Sequence, residues 1–265
     1  MKPDLIAPGY TILTARAHPS DGQDSVWQTF GTSFSSPAAA GNAALVRQYF
    51  EEGWYPCGSK GCGKKISPSG TLVKAVLMNG GRRLNQVQKV PNGPILENIE
   101  PYDNNQGMGL IQMRDSLPLK TKNDFNVIAI DNYTILDGRR RDILIKAKNS
   151  KCSSPELSVT LAWYDAPGAP GCVQCLMNDL DLNVLEVNTN GRMNGKWIFP
   201  NGIRRRNTKN NVERIRTIIS AGKLYRISVK ARNLSEADAK FSLIATGCFK
   251  RQWWLEKKIR KGRGN

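Results

Sequence analysis

Residues 157–163 read Leu157-Ser158-Val159-Thr160-Leu161-Ala162-Trp163, large apolar side chains alternating with small or hydroxyl ones. Period two marks a strand that presents one face to a core. Working outward, the same alternation recurs at Ile143/Ile145/Ala147, at Tyr225/Ile227/Val229/Ala231 and at Phe241/Leu243/Ala245. Turn-forming Gly, Pro and Asn residues separate these runs. Short alternating strands with such punctuation predict an antiparallel β-sandwich, jelly-roll-like, over residues 119–249.

Upstream the rhythm is different. Residues 35–50, SSPAAAGNAALVRQYF, form an Ala-rich helix whose apolar face continues through Leu45, Val46, Tyr49 and Phe50. A second helix is expected with Ser67 as N-cap, Pro68 at its first position and Gly80-Gly81 as its stop. The polar stretch Ala17–Thr29 and the Gly/Cys/Lys-rich 53–66 read as surface loops, and the paired glycines of QGMGLI (106–111) as a tight turn. The change of rhythm near Leu117–Lys122 divides the chain into 1–118, the sandwich at 119–249 and a basic tail at 250–265.

A chain of 265 residues with 40% hydrophobic and 23% charged residues can bury a substantial core and is not disordered throughout. No apolar run approaches the 18 residues that a membrane-crossing helix needs. The start, MKPDLIAPGY, lacks the basic-then-apolar pattern of a signal peptide. The net charge of +17 favours acidic partners: polyanions, anionic membranes or acidic substrates. Its local peaks are Arg139–Arg141, Arg204–Arg206 and the tail KRQWWLEKKIRKGRGN. The tail, with Trp253 and Trp254 among its cations, is either a solvated end or a contact with a membrane surface or a polyanion. No zinc-finger or RRM signature is present, so no specific nucleic-acid partner is expected.

The six cysteines, an even number, suit an oxidising compartment. The pairing expected is Cys57–Cys62, Cys152–Cys248 and Cys172–Cys175. A four-thiolate zinc site from Cys57, Cys62, Cys172 and Cys175 stays open as the competitor. Two sequons, Asn132-Tyr133-Thr134 and Asn233-Leu234-Ser235, also fit a secreted or secretory-lumen location.

The chemistry lies in GTSFSSPAAAG, Gly31 to Gly41. A serine between a Gly-Thr turn and an Ala-rich helix exposes its hydroxyl where unpaired backbone N–H groups favour a developing negative charge. Gly31 admits a substrate carbonyl, and Pro37 suits an early helical turn. The plainer reading makes Thr32, Ser33, Ser35 and Ser36 N-cap candidates only.

KPDLIAPG (2–9) followed by GTSFSSPAAAGNAAL (31–45) resembles the nucleophile region of the subtilisin-like serine peptidases, the subtilases. LVKAVLMNGG (72–81) and QGMGLIQ (106–112) continue the resemblance. LAWYDAPG (161–168), NDLDLNV (178–184) and NNVERI (210–215) are similar to the branch that carries a C-terminal β-sandwich. The likeness runs over about residues 2–248. It implies that residues 1–118 are the C-terminal portion of a parallel-sheet α/β peptidase domain. It implies too that Ser33, supported by Gly31, Thr32 and Pro37, is the nucleophile of a polypeptide-cleaving enzyme, with its own N–H as one oxyanion donor.

The sequence departs from that family in a telling way. Subtilases place their Asp and His motifs, and the oxyanion Asn, well before the Ser, and none of these precedes Ser33 here. The single histidine, His18, sits in a loop and is not expected to act as the base. The chain therefore reads as the nucleophile-bearing half of an enzyme, inactive without an upstream half in the same or another chain. The alternative is a non-catalytic sandwich that binds a glycan, a polyanion or a protein. Asp179 and Asp181 fall on one strand face and repel unless something positive lies between them. A structural Ca²⁺, with Asp165 as a further ligand, would answer that. An arginine would answer it as well.

Overall fold

The structure, a computed structural model, describes residues 2–16, 25–88, 93, 95–97, 102–149, 152 and 156–252. The chain begins with strands β1 (Ile12–Arg16) and β2 (Ser25–Thr29), then helices α1 (Thr32–Glu51) and α2 (Gly70–Asn79). The short pair β3 (Gln86–Gln88) and β4 (Ile95–Glu97) and a single helical turn α3 (Met113–Ser116) follow. Eight strands complete it: β5 (Asn126–Leu136), β6 (Arg140–Ala147), β7 (Glu156–Trp163), β8 (Asp179–Val187), β9 (Val212–Ile218), β10 (Leu224–Asn233), β11 (Asp238–Gly247) and β12 (Phe249–Arg251).

These eight strands form two four-stranded antiparallel sheets, ordered β12-β6-β10-β8 and β5-β11-β7-β9. The pairs β5·β11, β6·β10 and β7·β9 are nested around β8, the winding of a jelly roll. The predicted sandwich is therefore present. Leu157, Val159, Leu161 and Trp163 point into the core between the sheets beside Leu243 of the same sheet, with Ile143, Ile145, Ile227 and Val229 opposite them. The bulge where β5 meets β11 falls beside Asn132, which adopts a positive φ of 48°.

The other face of β7 is buried as well, because α2 lies across the sheet. Ala162, Val212 and Ile244 share a second core with Leu72, Val76, Met78 and Phe50. Two polar clusters fix the helix there. At its C-terminal end the buried Asn79 donates from Nδ2 to Thr246 Oγ1 (2.8 Å) and accepts at Oδ1 from Ser158 (2.9 Å) and Thr160 (3.0 Å). At its N-terminal end Asp131 of β5 accepts from the Ser69 N–H (2.9 Å) and from the hydroxyls of Ser69 and Ser242. The N-cap is accordingly Ser69, whose Oγ accepts from Leu72 N–H at 3.1 Å, and not Ser67. The predicted stop at Gly80 holds: a Cβ there would lie 2.0 Å from Ser116 Oγ.

The expected parallel-sheet remnant is not reproduced. Among the described residues of 1–118 the only parallel pairing is the bridge Ile6–Leu110, flanked by the antiparallel bridge Arg82–Leu110. Residues 25–29, expected as loop, form a strand against β1; Val26, Trp27 and Thr29 are good strand formers, and the polar residues before them made the segment read as surface. All six cysteines are paired as Cys57–Cys62, Cys152–Cys248 and Cys172–Cys175, which removes the thiolate zinc site.

Candidate functional site around Ser33

Ser33 is the second residue of α1, exposed at the start of the helix. The N-cap, Gly31, supplies no side-chain hydrogen bond, and no acidic residue occupies the first turn. The first-turn amides thus meet no capping side chain, which leaves the positive end of the dipole open to an anion or a polarised carbonyl. Gly31 sits at φ 148°, ψ 157°, a conformation that other residues rarely adopt. Its N–H donates to Gly9 O at 2.7 Å, and its carbonyl accepts from Phe34 N–H at 3.1 Å.

Gly9 explains why KPDLIAPG and GTSFSSP belong together. A Cβ on Gly9 would lie 2.1 Å from Ser35 Oγ and 2.8 Å from Gly31 O, so only glycine lets the two segments touch. Residues 4–6 are anchored in turn: Met108 N–H donates to Asp4 O (2.9 Å) and Ile111 N–H to Ile6 O (3.0 Å). Gly107, at φ 58°, makes room, since a Cβ there would lie 2.0 Å from Pro3 O. Thr32 and Pro37 are exposed on the first turns of α1, as are Tyr10 and Phe30 beside it, their rings 5.9 Å apart. The helix is buried only at its far end, through Val46, Tyr49 and Phe50. His18 lies outside the described residues, as do Trp253 and Trp254 of the tail.

The carboxylates on β8 are neutralised by arginines. Arg206 donates from Nε to Asp181 (2.7 Å) and from Nη2 to Asp179, and Arg232 Nε donates to Asp181 at 2.7 Å. Burial, and then the neighbouring Asp181, push the Asp179 carboxyl above its ordinary range. Glu213 of β9 is fully buried against the same group, accepting from Leu182 N–H at 2.5 Å, and burial holds its carboxyl well above its usual value. Asp165 faces elsewhere, accepting from the N–H groups of Met177 (2.9 Å) and Asn178 (2.8 Å). Asp179 and Asp181 each keep one buried oxygen without a hydrogen-bond partner. Even so, no group of three His, Cys, Asp or Glu among the described residues is placed to hold a metal ion. The positive neighbours of these carboxylates in this structure are Arg206 and Arg232, the arginine alternative to the expected calcium. Sequence reasoning missed Glu213, Arg206 and Arg232; the only trace was the Arg204–Arg206 charge peak and the string NNVERI.

The fold and the site together define a chain that joins an uncapped, serine-bearing helix start to an antiparallel sandwich. Residues 1–94 match the model of the subtilase family, Peptidase_S8. It is 26% identical over 292 residues to the serine protease/ABC transporter B family protein tagB of Dictyostelium discoideum, covering 93% of this chain and 15% of that protein. To tagD of the same organism it is 25% identical, covering 69% of this chain and 12% of the relative. To the subtilisin-like protease SBT3.12 of Arabidopsis thaliana it is 28% identical, covering 64% and 21%. The chain thus spans less than a quarter of the length of these relatives. A solved structure, the Yersinia pseudotuberculosis-derived mitogen, aligns with 47% of this chain and 86% of its own at 20% identity and a TM-score of 0.27.

Proposed function

We propose that Ser33 is the nucleophile of a subtilisin-type serine endopeptidase that cleaves polypeptides in the secretory pathway or outside the cell. Its base and the acid that orients the base come from an upstream half, in the same or another chain. The observation that carries the reading is the Gly9–Gly31 contact, which presents Ser33 at an uncapped helix start. When the serine oxygen bonds to the scissile carbonyl carbon, its proton must pass to a base, and the carbonyl oxygen gains charge. The Ser33 N–H and the helix start serve that charge. The proton acceptor is what Ser33 lacks among the described residues, and without one a serine hydroxyl is a weak nucleophile. The exposed apolar side chains of Tyr10, Phe30 and Leu45 are what a covering half of the domain would bury. The three disulfides are compatible with the location.

A fluorophosphonate probe, which reacts with activated serines, tests this. The 265-residue chain alone is expected to stay unlabelled, and a product that includes the upstream half to be labelled, with labelling lost in Ser33→Ala. Labelling of the chain alone would overturn the need for the upstream half. An unlabelled complete enzyme would overturn the role of Ser33.

A further inference from the structure

Beside the C-terminal end of α2, edge strand β9 turns Arg214 and Arg216 away from the sandwich core onto the backbone carbonyls of Met78 and Gly81. Arg214, only 4% exposed, donates from Nη1 to Met78 O (2.7 Å) and Gly81 O (2.9 Å) and lies 5.0 Å from the Tyr102 ring centre. Arg216 donates to Gly81 O (3.0 Å) and pairs with Glu156, while its buried Nε has no hydrogen-bond partner. Both line a cleft of about 780 Å³ whose wall includes Trp197, Phe199 and Ile203 and whose rim carries Arg83, Lys196 and Arg204. Glu156 is the one carboxylate among the described residues lining it.

Part of this has a structural purpose, since Arg214 caps the last carbonyls of α2, where a cation is favoured. Capping does not account for the rest. A buried guanidinium is costly without a counter-charge, and burial holds Arg214 below its ordinary pKa. The Arg216 Nε faces no acceptor, and four more cations line the cleft around an aromatic wall, of which Arg82 is paired with Asp115. The guanidinium groups are held in place by backbone carbonyls, so they are pre-organised for an anion. The volume falls within the range of small-ligand sites. We propose that this cleft docks an acidic peptide segment of a partner protein, its carboxylates on the arginines and one apolar side chain against Trp197 and Phe199. A sulfated glycan would satisfy the cations and leave the apolar wall unfilled, so charge and wall together favour peptide.

The test is fluorescence anisotropy of the full chain with a labelled Asp-Glu-Leu-Glu-Asp peptide. Saturable micromolar binding is expected, weakened at least tenfold by Arg83→Glu with Arg204→Glu. It should change less than twofold in Lys64→Glu with Lys65→Glu, which alters net charge equally in the 53–66 loop. Replacing the peptide's Leu by Gly should weaken binding about tenfold, as should Trp197→Ala; should that variant misfold, Lys196→Gln with Arg204→Gln replaces it. The proposal fails if the peptide does not saturate, if both charge-reversal pairs weaken it equally, or if heparin binds where the peptide does not.

Discussion

Removing Arg206 isolates the electrostatics on which the sandwich edge depends. Arg206→Met keeps most of the aliphatic stem and deletes the cation that joins Asp179 to Asp181. Asp181 keeps Arg232, whereas Asp179 is left beside Asp181 with no paired cation among the described residues. Breaking a fully buried pair from one side costs about 3–5 kcal/mol. The Asp181 side chain is only 2% exposed, but that of Arg206 is 40% exposed, so water screens part of the loss. The expected cost is about 2–3 kcal/mol at neutral pH, or about 5–10 °C in Tm for a chain of this size. The pH dependence has a definite sign. Asp179 already titrates above its ordinary value of 3.8 in the folded chain, through burial and then Asp181. A carboxyl raised in this way binds more protons folded than unfolded, so its contribution to stability falls as pH rises above the unfolded value. Without Arg206 it rises further, so the variant should lose least near pH 4 and most near pH 7. Urea unfolding of both proteins at the two pH values measures this. A loss below about 0.5 kcal/mol at pH 7, the range of an ordinary surface pair, would refute the reasoning. So would a loss of the same size at both pH values.

Two further perturbations address the helix layer and the nucleophile segment. Asn79→Ala removes three side-chain hydrogen bonds between α2 and the sheet and strands the Thr160 and Thr246 hydroxyls. A loss of about 3 kcal/mol is expected in denaturant unfolding, and pairing the change with Thr160→Val in a double-mutant cycle should recover part of it. Gly9→Ala would drive a methyl group into Ser35 and the Gly31 carbonyl, displacing the Ser33 turn. Fluorophosphonate labelling of the complete enzyme should then fall at least tenfold, since displacements of about 1 Å cost on the order of 10²-fold.

Where sequence reading worked and where it stopped follow from the range of the forces involved. Strands β6, β7, β10 and β11 were legible because alternation is local and the sheets' shared core demands it. The full burial of β7 was not, for its Ser158, Thr160 and Ala162 read as an outward polar face. They are small because α2 lies on them, and hydroxylated because Asn79 meets them. The carboxylates of β8 show the same boundary. That Asp179 and Asp181 need a positive neighbour follows from their spacing alone. That the neighbour is Arg206 and Arg232, 25 and 51 residues beyond Asp181, depends on how the strands pair. β5 gave no clean period because its bulge at Asn132 breaks the alternation midway.

The Gly31–Ser33 turn raises a sharper question, for a serine at a helix start is ordinarily only a cap. A cap needs a hydroxyl or carboxylate at the residue before the first turn, accepting from an amide two or three residues on. Ser69 does this for α2, with its oxygen on the Leu72 N–H. α1 has a glycine in that place, at a φ that costs other residues strain, and no side chain on its first amides. A second glycine, Gly9, is then required so that the neighbouring segment can press against the turn. Helix stability alone would favour Ser, Thr or Asp over Gly31 and would make no demand on residue 9. Under the proposed function, two glycines that weaken a helix start while leaving its amides and Ser33 uncovered are accounted for by a substrate carbonyl that approaches there. That is the physical content of the family resemblance at this site.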